Sequence, residues 1–160
     1  MDLSDSEFLL ATCHSKDIRF WNTKKGEVIH TLNKAHDDIV TCARFTPDER
    51  YMVSTSRDHT VKVWDIRTWK PLYEPFEDES YSCPTSNQTK LCISPDSRYA
   101  VVGSSNGSVI VLDIKSHKSA QIEEVYEDEH MGQVIGCEWQ PRGALFATID
   151  KTGGLLIWKE

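Results

Sequence analysis

Val61-Lys62-Val63-Trp64-Asp65 closes a strand-like segment of this chain, and three other segments close in the same way. They are Ile18-Arg19-Phe20-Trp21-Asn22, Val109-Ile110-Val111-Leu112-Asp113 and Leu155-Leu156-Ile157-Trp158-Lys159. Counting back 17 residues from Trp21, Trp64, Leu112 and Trp158 reaches Ser4, Pro47, Pro95 and Pro141. The three prolines open polar turns: Pro47-Asp48-Glu49-Arg50, Pro95-Asp96-Ser97-Arg98 and Pro141-Arg142-Gly143. The registers stand 43, 48 and 46 residues apart. That period belongs to a repeated sheet unit rather than to a helical repeat.

Within each unit the apolar residues alternate with period two, as they do in strands with two distinguishable faces. The second unit is the clearest. It reads as an inner strand over 39–45, a Pro-Asp turn, strands over 51–55 and 60–66, and an outer segment over 71–74. Pro71 fits an outer edge, where one backbone donor can be lost. No segment offers ten residues of helical periodicity. Four-stranded antiparallel sheets repeated around an axis make a β-propeller. The fold class expected is therefore all-β, a propeller of about three and a half to four blades, with units of about 1–34, 35–78, 79–128 and 129–160.

Composition narrows the function. With 18 basic against 25 acidic residues the net charge is -7, which excludes the basic footprint that duplex nucleic acid requires. The longest strictly apolar run near the start, Phe8-Leu9-Leu10-Ala11, is far too short for a signal core or a membrane span. Five scattered cysteines (Cys13, Cys42, Cys83, Cys92, Cys137) contain no C-x-x-C pair and read as reduced thiols of a cytosolic or nuclear protein.

The chain resembles the WD-repeat family along essentially its whole length. Trp64-Asp65 is the namesake dipeptide, and Ser56-Arg57-Asp58-His59-Thr60 matches the family's S-x-D-x-T turn. The resemblance implies a buried structural tetrad of His36, Ser56, Asp58 and Trp64, with Ala35-His36 where the family has Gly-His. The other units keep this set poorly: Cys13 and Ser15 in the first, Ser104, Asn106, Pro84 and Leu112 in the third, and His130, Asp150, Thr152 and Trp158 in the fourth. In such a tetrad the indole N–H needs an acceptor, and a serine can accept it while donating onward to an imidazole held by the aspartate. A satisfied chain of that kind rigidifies a blade.

Within the family the chain resembles the C-terminal propeller of autophagy-related protein 16-like proteins. The stretches that carry this are 16–21, 94–99, 103–108 and the ending from Asp150-Lys151 to Leu156-Ile157-Trp158. The resemblance implies a cytoplasmic, non-catalytic scaffold that binds other proteins. Autophagy conjugation machinery and membrane receptors are the partners it implies, with recruitment to autophagic or endolysosomal membranes through them. In that family the propeller helps direct lipid conjugation of ubiquitin-like proteins; no cofactor, nucleic acid or direct membrane insertion is implied. The alternative within the same frame is an unrelated WD-repeat adaptor, such as a ubiquitin-ligase substrate receptor or an RNA-processing subunit.

Two chemical readings compete. Ser56, His36 and Asp58 are the residue types of a hydrolase triad, but no G-x-S-x-G elbow surrounds Ser56, and Trp64 accounts for the constellation without a substrate. A metal site lacks ligands at finger or catalytic spacing; Cys13 and His14 are strand neighbours that point to opposite faces, and Cys92 and Cys137 fall on inner strands of different units.

The acidic loops are the candidate partner surface. Glu77, Asp78 and Glu79 form one, and Glu123 and Glu124 with Glu127, Asp128 and Glu129 form another, both expected on the face of the His36 loop, where they would steer a basic partner. The innermost strand of the first unit is expected before Met1, and no outer strand is expected after Trp158. A fragment of a longer protein and a half-ring completed by a second chain both fit about fourteen strands, against roughly twice that in a seven-bladed ring. Open edges of either kind favour self-association.

Overall fold

The computed structural model describes residues 1–77, 81–83, 91–115, 121–126 (as backbone), 129–142 and 145–159. No helix forms among them. The first sheet holds β1 (Asp2–Leu3), β2 (Leu9–His14), β3 (Asp17–Asn22) and β4 (Glu27–Leu32). The second holds β5 (Val40–Phe45), β6 (Tyr51–Ser56), β7 (Val61–Asp65) and β8 (Lys70–Pro71). β9 (Leu91–Ile93), β10 (Tyr99–Gly103), β11 (Val109–Asp113) and β12 (Gln121–Tyr126) form the third, and β13 (Val134–Trp139), β14 (Leu145–Asp150) and β15 (Leu155–Lys159) the fourth. In every sheet strands pair in chain order and antiparallel, the blade topology of a propeller.

β1 corrects one expectation. Asp2 and Leu3 pair with Ala11 and Leu10, so the first blade carries a short innermost strand of its own. Two residues are too few to show any alternation, which is why the pattern missed it. Glu123 and Glu124 lie in β12, opposite the third blade's β11, and not in a loop. Phe76 extends the second blade's outer edge through paired backbone bonds with Val61, beyond the segment around Pro71.

The register repeats from blade to blade. Trp21 stands opposite Leu10, Trp64 opposite Met52, Leu112 opposite Ala100 and Trp158 opposite Phe146. Because side chains alternate across a strand, these pairs mark one side of each blade, here the indole face; the intervening residues form the far face. Three cores follow, and each joins the far face of one blade to the indole face of the next. Ala11, Ile18 and Phe20 of the first blade pack on Met52 and Trp64 of the second. Val53, Val61 and Val63 pack on Val102, Ile110 and Leu112 of the third. Val101, Val109 and Val111 pack on Phe146, Cys137 and Trp139 of the fourth, with Trp158 against them.

Gly103 shows how close the last pair of blades comes. A Cβ there would meet the Cγ1 of Val134 at 2.4 Å, so only glycine lets the fourth blade's inner strand approach. Backbone and side-chain bonds also stitch the blades together at the turns. Val40 N–H donates to Ser15 O (2.8 Å), Asp48 N–H to Ser97 Oγ (2.9 Å) and Val134 N–H to Ser104 O (3.1 Å).

Candidate interaction surfaces and the buried hydrogen-bond chains

The second blade contains a buried polar chain that begins at an indole. Trp64 Nε1–H donates to Ser54 Oγ at 2.8 Å, and the same oxygen lies 2.7 Å from His36 Nε2. His36 Nδ1 lies 3.0 Å from Asp58 Oδ2, which also accepts the Asp37 N–H at 2.8 Å. Thr60 completes the set, donating from Oγ1 to Asp58 Oδ1 at 2.7 Å. The carboxylate fixes the tautomer: Nδ1 carries the proton and donates, so Nε2 accepts from the Ser54 hydroxyl. His36 and Ser54 are fully buried.

Burial opposes charge on Asp58, but bonds from His36, Thr60 and the Asp37 N–H outweigh it and hold the carboxyl far below its usual range. His36 moves the other way from most paired histidines. Burial depresses its pKa more than Asp58 raises it, and the ring stays neutral near pH 7.

The serine in this chain is Ser54, whereas the S-x-D-x-T turn led to Ser56. Ser56 Oγ accepts the Asp58 N–H at 3.1 Å and holds the hairpin. Both residues belong to β6 and, two apart, face the same way, so alternation alone cannot separate them. A different signal does separate them: a hydroxyl nine or ten residues before each of the three tryptophans that close a repeat, Trp21, Trp64 and Trp158. Trp21 Nε1–H donates to Thr12 Oγ1 and Trp158 Nε1–H to Thr148 Oγ1, both at 2.8 Å. Cys13 and Ser15 therefore do not stand in the first blade's network.

The fourth blade has its own complete chain. His130 Nε2 lies 2.7 Å from Thr148 Oγ1, and Nδ1 lies 3.0 Å from Asp150 Oδ2. Asp150 occupies the hairpin position of Ser56, because its N–H bonds Gly154 O as the Ser56 N–H bonds Thr60 O. From there one carboxylate does two tasks: Oδ2 holds the histidine, and Oδ1 takes the Thr152 N–H (2.8 Å) and Oγ1–H (2.6 Å). The bond from Thr152 leads the forces that lower its pKa well below the carboxylate range. Gly154 permits the fit, since a Cβ would lie 2.5 Å from Asp150 Oδ2. The third blade has Val102 where the others carry the hydroxyl and Leu112 for the tryptophan. Ser104 and Asn106 there cap backbone N–H groups, of Ser82 and Ser108, and Ser104 Oγ also donates to Ser82 O at 3.2 Å. Pro84 lies outside the described residues.

Ser54 also settles the geometry of the hydrolase reading. The hydroxyl that touches His36 is buried beneath an indole, and Ser56 bonds a backbone amide instead. No group of three or more His, Cys, Asp or Glu able to hold a metal occurs among the described residues.

Glu77 and Glu129 are exposed; Asp78, Glu79, Glu127 and Asp128 lie outside the described residues. A surface missed by the sequence reading lies at the opposite ends of the inner strands. There a cavity of about 470 Å³ is lined by Arg44, Cys92 and Glu138, by Asp2 and Asp5, and by the turns at Pro47, Pro95 and Pro141. Asp2 spans the first two blades, accepting from Phe45 N–H (2.9 Å) and Arg44 Nη1 (3.3 Å). Three carboxylates against one guanidinium give this mouth a negative bias.

Residues 26–65 and 78–113 match the WD domain, G-beta repeat; the first match runs from β4 through β7 and the second takes in β9 to β11. The chain carries WD repeats. It is 32% identical to Protein tipD of Dictyostelium discoideum over 152 residues, 94% of this chain and 24% of that protein. It is 27% identical to Protein Atg16l2 of Mus musculus over 158 residues, 98% and 24% of the two chains. Autophagy-related protein 16 of Arabidopsis thaliana is 26% identical over 142 residues, 89% of this chain and 26% of that protein. This WD-repeat chain thus spans about a quarter of the length of these curated relatives. Among its described residues no helix is long and apolar enough to cross a membrane.

Proposed function

We propose that this chain is a non-catalytic docking platform of the autophagy-related protein 16 kind. It would present propeller surfaces to partner proteins and so help direct lipid conjugation of ubiquitin-like proteins during autophagosome formation. The observation that carries this reading is similarity to Atg16-type relatives over nearly the whole chain, covering all four blades. A second observation supports a binding role over a catalytic one. Among the described residues the hydroxyls within reach of an imidazole, those of Ser54, Thr60 and Thr148, are buried inside the blades, while Asp2, Asp5, Arg44 and Glu138 line an open mouth. Function on such a frame resides in surface groups rather than in the frame.

The same reading places the chain in the cytoplasm, brought to autophagic or endolysosomal membranes by its partners. The acidic loops around Glu77 to Glu79 and Glu127 to Glu129, with the acidic mouth at Asp2, Asp5 and Glu138, are the surfaces it assigns to basic partners. Affinity capture from cells, with the chain joined to its natural flanking sequence, tests it. Enrichment of membrane-conjugation components, reduced by Asp5→Lys with Glu138→Lys, is the expected result. Enrichment of ubiquitin-ligase or RNA-processing subunits in their place would refute the autophagy role and leave a generic adaptor. Any hydrolytic turnover lost in a folded Ser54→Ala variant would refute the non-catalytic reading.

A further inference from the structure

One far-face position on each inner strand lines the cavity where those strands converge. In β1 it is Asp2, opposite Ala11; in β5 it is Arg44, opposite Val53; in β13 it is Glu138, opposite Ala147. All three carry charge. The third blade breaks the series with Cys92, which stands opposite Val101 in β9. Cys92 is 4% exposed, yet among the five cysteines it is the one that lines the cavity.

The far face of the third blade packs on the fourth, so the Cys92 thiol meets that blade's inner strand. Its neighbour there is Cys137, on the indole face of β13, opposite Thr148. Cys137 Sγ donates to Val101 O at 3.4 Å, and Val101 is the residue paired with Cys92. The two thiols also lie within hydrogen-bonding reach of each other, across the junction between two blades. At the other junctions the same two register positions hold Asp2 with Ala43, and Arg44 with Leu91. Neither pair can form a covalent link. Elsewhere, Cys83 has Thr41 Oγ1 at 3.7 Å, and burial pushes the Cys13 thiol up to about 11.

We propose that Cys92 and Cys137 are a redox pair: peroxide arriving along the axial channel oxidises Cys92, and Cys137 closes a disulfide that staples the third blade to the fourth. In the first step the Cys92 sulfur attacks one oxygen of hydrogen peroxide. The O–O bond breaks, a sulfenic acid forms, and one water leaves with the thiol proton. The Cys137 sulfur then attacks the Cys92 sulfur, the S–O bond breaks, and the departing hydroxide takes the Cys137 proton as a second water. Two thiols are oxidised and one peroxide is reduced; exchange with a reducing dithiol reverses the change. All five cysteines are free thiols in the structure, as a transient, redox-sensing disulfide requires of its resting state. The route does not depend on what completes the ring, because propellers of four to eight blades all surround a central channel. The inference is independent of which protein the platform docks.

Hydrogen peroxide added to the reduced full chain, followed by thiol counting and tryptic peptide mapping, tests it. Free thiols are expected to fall from five to three per chain, and dithiothreitol should restore them. The map should show the tryptic peptide 91–98 joined to the peptide 119–142. Cys137→Ser should stop at the sulfenic acid on Cys92, captured by dimedone. Cys92→Ser should keep its four thiols through the same dose. If either variant loses its β-sheet circular dichroism, the parent's peptide map decides alone. A parent that keeps all five thiols, or that links any other pair, overturns the proposal. So does a folded Cys92→Ser variant that loses two thiols as fast as the parent.

Discussion

The second and third blades share one frame and one register, yet hold themselves together by different means. In the second, a five-residue polar chain runs from Trp64 through Ser54, His36 and Asp58 to Thr60. In the third, the corresponding space holds Val102, Ile110 and Leu112, all at most 1% exposed. The blade geometry therefore does not depend on the network. What the comparison teaches is conditional: once an indole and an imidazole are buried, every one of their polar atoms must find a partner, whereas an aliphatic blade incurs no such requirement. The polar blade is accordingly expected to be the more fragile to single substitutions, and the aliphatic one the more tolerant.

The largest effect should come from Trp64→Ala. It removes the ring that fills the junction with Phe20 and Phe45 and strips Ser54 of its donor, for a loss of about 3–5 kcal/mol in denaturant unfolding. Leu112→Ala in the third blade deletes less volume and leaves no polar orphan, so its cost should fall toward the lower end of about 2–5 kcal/mol. Equal losses at the two sites would break the comparison.

Ser54→Ala comes next, expected to cost about 2–3 kcal/mol because it leaves the buried indole N–H and the imidazole Nε2 both unpaired. The reciprocal change sharpens the contrast. Val102→Thr adds a hydroxyl opposite Ile110, where no indole or imidazole waits, and should itself cost about 1–3 kcal/mol. A hydroxyl is thus stabilising in one blade and destabilising in its neighbour, at the same register.

Acid should expose the polar blade as well. His36 has its pKa lowered on folding, so below about 6.5 the unfolded chain takes up a proton that the folded one refuses, and stability falls as pH drops from there. Asp58 adds to this in a lower window. Its carboxyl is depressed in the folded state, so its contribution is complete above about 4 and is lost as pH falls further. Unfolding midpoints measured from pH 8 to pH 3 should hold level down to about 6.5 and decline below it, and a His36→Leu, Asp58→Leu double variant should show a shallower decline. An unchanged slope would remove these two groups from the account.

How far the sequence revealed this can be judged residue by residue. The period, the proline turns and the strand endings were readable because each recurs with the same spacing. The fourth blade's chain was not, because its carboxylate moved to the first hairpin position, and comparison position by position read Asp150 and Thr152 as replacements for Ser56 and Asp58. The acidic mouth was invisible for another reason. Asp2, Arg44 and Glu138 are brought together only by the radial arrangement of three inner strands, and no local spacing encodes that.

The smallest effect concerns Ser56, and it distinguishes the two serines of one strand. Its Oγ accepts a single bond, from the Asp58 N–H at the hairpin, and it touches neither the indole nor the imidazole. Ser56→Ala should therefore cost about 0.5–1.5 kcal/mol, the ordinary worth of one intramolecular bond. Its tryptophan emission should match the parent's, because the Trp64 indole keeps its acceptor. Ser54→Ala should lose more stability and shift that emission as well. If Ser56→Ala proved the more damaging of the two, the chain would run through the hairpin rather than through the middle of β6, and the register comparison across all four blades would fail with it.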